Sequence, residues 1–272
     1  MYGRAPEWQA FSGRKIVGKC AASRRLAGLL LAGLPALLAF CGGDHTPAQA
    51  QTPVDLQLVL AVDVSGSVNQ TRFELQRDGY VAAFRSTRVL ETIRSGPHQA
   101  IAVTMVQWTG PALQVHGVPW MRIADSPSAE AFAMAVDQAP RRLFGGGTSI
   151  SGAIDYAVPL FAQSPFRARR RVIDVSGDGS NNRGRLVNLA RDDAVAADIG
   201  INGLPILALE PDLDRYYEQN VIGGTGAFVI AARDYEAFAD AILKKLITEI
   251  ARAERGPNDL RSARVGGFTK GK

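Results

Sequence analysis

The stretch Leu56 to Val62 (LQLVLAV) is short, almost wholly aliphatic and closed by Asp63-Val64-Ser65-Gly66-Ser67. A run of that length without polar alternation fits a strand covered on both faces, hence a parallel sheet sandwiched by helices. Arg171-Val172-Ile173-Asp174-Val175 behaves similarly much later in the chain and closes on Ser176-Gly177-Asp178-Gly179. If the two runs are parallel neighbours, both polar loops lie at the carboxyl edge of one sheet, where open α/β folds bind their ligands. Two carboxylates and two hydroxyls then converge, a donor set for a hard divalent cation.

Strand-like and helix-like segments alternate from residue 54 to about 252, the pattern of a largely parallel sheet between helices. A helix is expected over 70–92, with Phe73, Tyr80, Val81 and Phe84 on one face, then a strand over 101–108. Residues 113–123 read as a poorer strand, because Pro119 suits only a sheet edge. Asp125-Ser126-Pro127 opens a helix to about residue 138, and Gly145-Gly146-Gly147-Thr148 leads into another over 150–162. Further along come a helix over 184–198, a strand over 199–208, a short helix over 213–220 and a last strand over 227–231. Asp234 then caps a final helix whose Phe238, Ile242, Leu246 and Ile250 share one face.

Residues 1–50 read as an export signal: Arg24-Arg25 precede the apolar Leu26 to Phe40, and Ala48-Gln49-Ala50 supplies small residues for a peptidase. Ser23-Arg24-Arg25-Leu26 partly resembles a twin-arginine signal, so both export routes fit, and lipidation at Cys41 is the alternative to cleavage. Both cysteines, Cys20 and Cys41, fall in this segment, so the remainder has neither disulfide nor thiolate site. Six Lys/Arg residues against two acids also fall there, so much of the net charge of +5 belongs to the signal. The nearly neutral remainder offers no footprint for nucleic acid. Residues 51–255 form the expected domain, and the Gly-rich basic segment 256–272 an expected disordered tail. The location implied is periplasmic or secreted, without a stable membrane span after processing.

Asp63-Val64-Ser65-Gly66-Ser67 resembles the Asp-x-Ser-x-Ser element of the metal-ion-dependent adhesion site of von Willebrand factor type A domains. Thr148 and Asp178 stand where that family places its later threonine and aspartate, and the likeness runs from about Val54 to Arg252. It extends to exported bacterial proteins of this superfamily described only as a domain of unknown function. The resemblance implies a three-layer, Rossmann-like α/β fold: a mostly parallel six-stranded sheet, one antiparallel edge strand and helices on both faces. It implies that Asp63, Ser65, Ser67, Thr148 and Asp178 hold a divalent ion with one coordination position left for a partner's carboxylate. Two carboxylates with neutral hydroxyls suit Mg2+ or Mn2+ better than a carboxylate-rich Ca2+ cage. Gly66, Gly147 and Gly177 are expected to let the three loops crowd the ion.

The competing reading of the pentapeptide is a helix cap by Asp63 and Ser67. Asp174, inside its strand, needs a buried partner such as Arg171 or a backbone amide. Asn181 and Asn182 are candidates for shaping the metal loop, and Trp108 and Trp120 are expected in the core or at the sheet edge. His45, His98 and His116 are scattered, no Gly-x-Ser-x-Gly elbow is present, and the Gly145 loop lacks a phosphate-binding lysine. A binding module is therefore expected rather than an enzyme, with a metal-dependent hydrolase and a purely structural metal as the alternatives.

Overall fold

The structure, a computed structural model, describes residues 51–254. Its elements in chain order are β1 (Thr52–Pro53), β2 (Leu56–Asp63), α1 (Gln70–Arg85), α2 (Thr87–Ser95), β3 (Ile101–Trp108) and β4 (Gln114–Ile123). There follow α3 (Ser126–Gln138), α4 (Ile150–Gln163), β5 (Phe166–Arg167), β6 (Arg170–Gly177), α5 (Val187–Ala196) and β7 (Gly200–Pro205). A short α6 (Leu213–Tyr216) runs into a π-helical turn (Tyr217–Val221), and α7 (Phe238–Glu254) closes the described chain. The main sheet has the order β4-β3-β2-β6-β7; only β4 is antiparallel, and β1 pairs with β5 separately.

Every residue of β2 and β3 is buried, as the unalternated apolar runs require. The period of two still shows in how the side chains divide. Leu56, Leu58, Leu60 and Val62 join the core beneath α1, α3 and α7, whereas Val59 and Ala61 join the core beneath α4 and α5. Asp63 continues the second set, and Asp174 and Ser176 on β6 face α7 and α1. Among the described residues no helix is long and apolar enough to cross a membrane.

Three expectations are corrected. The sheet has five strands rather than six, because 227–231 runs beside β7 only through isolated bridges, Gly203 with Val229 and Ile206 with Ala232. The Asn202 side chain takes the Phe228 amide at 2.8 Å, and Pro205 offers no N–H, so a regular ladder cannot continue there. The helix expected over 70–92 is two helices. Ser86 is extended (φ −71°, ψ 128°), which turns Val89 and Ile93 of α2 into the core. Asp174 pairs with Lys245 Nζ at 2.8 Å, not with Arg171, whose guanidinium donates to the Ala197 carbonyl. The expected signal and tail lie outside the described residues.

Candidate metal centre

Four chain segments meet at the carboxyl ends of β2 and β6. Asp63 is the last residue of β2 and fully buried; its Oδ1 accepts the Ser65 amide at 2.7 Å, which folds the loop back over the strand end. The Ser65 and Ser67 hydroxyls lie 3.1 Å apart, and Ser67 Oγ donates to Asp178 Oδ1 at 2.6 Å. The capping alternative fails here, because the cap of α1 is Asn69, whose side chain accepts the Arg72 amide.

Thr148 arrives from the loop before α4 and is held by its backbone. Its N–H donates to Asn182 Oδ1 at 2.9 Å, and its carbonyl accepts the Asn182 and Arg183 amides. Asn181 Oδ1 in turn accepts the Ser151 amide, so both asparagines fasten this loop to the one after Asp178. A Cβ added at Gly179, next to Asp178, would stand 3.7 Å from Thr148 Oγ1, which places that hydroxyl beside the aspartate loop. The five expected residues are thus brought to one edge, on the loops after β2, before α4 and after β6.

The glycines divide differently from expectation. Gly147 has φ +83°, following Gly145 at +129° and Gly146 at +106°, so that loop depends on left-handed backbone. Gly66 has room for a Cβ, the nearest atom being 4.0 Å away. Gly177 matters through close approach: a Cβ there would meet Asp63 Oδ2 at 2.9 Å, Tyr217 Oη at 3.1 Å and Trp108 Cζ2 at 3.2 Å.

Sequence reasoning missed two groups that bear on Asp178, one from α1 just after the Ser67 loop and one from far along the chain. Tyr235 Oη donates to Asp178 Oδ2 at 2.8 Å, and Arg72 lies 3.6 Å from the same oxygen while donating to the Ser67 carbonyl at 2.8 Å. The Arg72 guanidinium also stacks 5.1 Å from the Tyr235 ring centre. Burial, then the Asp178 charge, pushes the Tyr235 hydroxyl up, so it remains a donor. No local spacing signals these contacts.

Burial pushes Asp63 from 3.8 up to about 7, with the Asp178 charge adding to the effect. Asp63 Oδ2, Trp108 Nε1, Thr109 Oγ1 and Tyr217 Oη are buried without a hydrogen-bond partner among the described residues. A buried carboxylate oxygen left unpaired beside a second carboxylate is costly, and a cation on the open side removes that cost. The donor set therefore fits a divalent ion held by Asp63, Asp178 and the hydroxyls of Ser65, Ser67 and Thr148. No group of three or more His, Cys, Asp or Glu gathers among the described residues, so hydroxyls and water must complete any shell.

The fold is that of von Willebrand factor A-like domains. Residues 53–254 match the family described as "Protein of unknown function (DUF1194)", and the chain belongs to that family. No curated protein matches the sequence. Among solved structures, it is similar to proximal thread matrix protein 1 from the mussel byssus with a zinc-occupied MIDAS motif (TM-score 0.53, 13% identity, covering 74% of this chain and 49% of that one). It is similar also to the pilus adhesin SpaC from Lactobacillus rhamnosus GG (TM-score 0.52, 14% identity, 76% and 31% covered). A von Willebrand factor type A protein from Catenulispora acidiphila gives a TM-score of 0.50 at 18% identity, with 74% and 43% covered. The chain spans half or less of these proteins, and at such identities the likeness shows the fold.

Proposed function

We propose that this domain is a divalent-cation-dependent protein-binding module working outside the cytoplasm, in which the ion completes its coordination with an acidic group of the partner. The observation that carries the reading is the convergence of buried Asp63 and Asp178 with three loop hydroxyls, one carboxylate oxygen being left without a partner. The ion would polarise and hold a partner's oxygen at its open position. Asp63, Ser65, Ser67, Thr148 and Asp178 would hold the ion, while Tyr235 and Arg72 hold Asp178 in place. With only two carboxylates, Mg2+ or Mn2+ is favoured, and the zinc in the mussel protein's motif makes Zn2+ the third ion to test.

Calorimetry of the purified protein with Mg2+, Mn2+ and Zn2+ tests the reading. One site is expected in the wild type, lost in Asp63→Ala and Asp178→Ala while circular dichroism stays native, because the site lies on loops. Unchanged metal binding in both variants would sink the assignment. Processing is tested by intact mass: export with cleavage after Ala50 leaves Gln51 first, whereas an acylated species beginning at Cys41 shows a lipid anchor. Assigning a binding role predicts no turnover of ester or phosphate substrates with Mg2+, and turnover lost in Asp63→Ala would identify a hydrolase instead.

A further inference from the structure

Six large apolar side chains are exposed among the described residues, and four of them, Leu113, Phe144, Leu186 and Leu209, sit on loops at the carboxyl edge. Single exposed apolar residues are ordinary, but their gathering at one edge marks a contact surface. Each is tied to the candidate metal loops. Phe144 is 73% exposed and directly precedes the three left-handed glycines that lead to Thr148. Its ring lies 4.8 Å from the Arg141 guanidinium, which donates to the Val64 and Ser65 carbonyls at 3.2 Å each. Leu113 Cδ1 lies against Gly146, 2.5 Å from where a Cβ would stand. Leu186 follows Gly184, which packs against Ser149 Oγ, and Leu209 precedes Glu210, which accepts the Ser180 amide at 3.1 Å.

Charge says what this surface fits. Arg141, Arg142 and Arg183 lie on the same loops, and no carboxylate of the described residues comes within ion-pair distance of them. Once a divalent ion offsets Asp63 and Asp178, these guanidinium groups leave the Leu113 and Phe144 side of the edge positive, while Glu210 and Asp212 keep negative charge on the Leu209 side. A complementary ligand is acidic and apolar together.

We infer that the edge docks an acidic polypeptide segment in which the metal-bound carboxylate is flanked by large apolar side chains seated on Leu113 and Phe144, with further acids against Arg141 and Arg183. This rests on the metal-binding reading above and goes beyond it in naming the flanking chemistry. The apolar contact provides affinity, and the carboxylate fixes register, since one ion contact seldom makes a whole interface.

The test titrates the isotope-labelled full chain with synthetic peptides carrying Leu-Asp-Leu, Ser-Asp-Ser or Leu-Asn-Leu in a Gly/Ser frame, with saturating Mg2+ or with EDTA, and reads amide shifts. In Mg2+ the Leu-Asp-Leu peptide should bind about tenfold more tightly than Ser-Asp-Ser, as expected for a partly buried apolar anchor. Its shifts should include Leu113 and Phe144, and binding should be lost with Leu-Asn-Leu or in EDTA. The double variant Leu113→Ser, Phe144→Ser should bring Leu-Asp-Leu down to the Ser-Asp-Ser level while calorimetric Mg2+ affinity stays unchanged. Equal affinity of the two Asp peptides, undiminished binding by the double variant, or no peptide binding by the Mg2+-saturated protein at millimolar concentration overturns the inference. Loss of calorimetric Mg2+ binding in the wild type is a separate result, which overturns the metal reading itself.

Discussion

At Gly177 a methyl group would stand 2.9 Å from Asp63 Oδ2 and 3.1 Å from Tyr217 Oη, both on side chains fixed in a packed interior. Gly177→Ala should therefore displace Asp63, weakening Mg2+ or Mn2+ affinity by tenfold or more by calorimetry and destabilising the fold by about 1–3 kcal/mol in urea melts. Tyr217 is the opposite case. Its hydroxyl is buried without a partner, and Tyr217→Phe should leave the metal-free domain as stable or about 1 kcal/mol more stable; a loss beyond that in urea melts would show that the hydroxyl has a partner. The proposed ligands Asp63, Ser65, Ser67, Thr148 and Asp178 could be singled out in the sequence because each sits at a strand end or in a loop with its own local pattern. Asn182 was named from sequence as a candidate for shaping that loop, but Arg72 and Tyr235 were not, since they reach Asp178 from α1 and from the segment before α7, where nothing in spacing distinguishes them from ordinary surface residues.

Among the elements, α7 is fastened to the sheet by charge as well as by its apolar face. Lys245 is fully buried, 2.8 Å from Asp174 and 4.0 Å from Glu249, while Glu249 is bridged by Arg170 and Asn202. Removing one member leaves the others as unpaired buried charge, so Lys245→Met should cost about 3–5 kcal/mol in urea melts. Adding Asp174→Leu should recover part of that loss; a double variant no more stable than Lys245→Met would show that the pair is not energetically coupled. The sequence revealed Asp174 as a buried acid in need of a partner. It could not reveal which one, because Lys245 follows it by many residues, and its spacing from Phe238 and Ile242 places it on the buried face of α7 without showing what it meets there. The missing sixth strand is similar: 227–231 is strand-like by composition, and its pairing with β7 is interrupted by the Asn202 side chain and by Pro205, which has no N–H to donate. Ser86 is the N-cap of α2 but makes no side-chain cap hydrogen bond, so the break there shows mainly in the core packing of Val89 and Ile93. The alternation of strands and helices was otherwise readable, because burial on two faces leaves a direct mark on composition.

For the molecule as a whole, the two raised carboxyls set a pH dependence. Asp63 moves from 3.8 to about 7 and Asp174 from 3.8 to about 6, in both cases chiefly through burial. Between those values and 3.8 the folded state holds protons that the unfolded chain releases, so the metal-free domain loses stability as pH rises through that window. A cation binds the ionised form of Asp63, so the rise in melting temperature on adding Mg2+ in place of EDTA should be larger at about pH 8 than at about pH 5. Equal increments at both pH values would show that Asp63 does not meet the ion. The described chain enters through β1, which pairs with β5 just before β6 begins, and α7 returns to that same end, where Arg170 holds the Glu249 carbonyl. The candidate metal loops stand at the other end of the strands, about 26 Å away for eight extended residues. A tension applied between a bound ligand and the chain's point of entry thus runs along the strands. It loads the parallel hydrogen bonds of β2 with β3 and β6 in shear, many at once, rather than peeling them apart one by one.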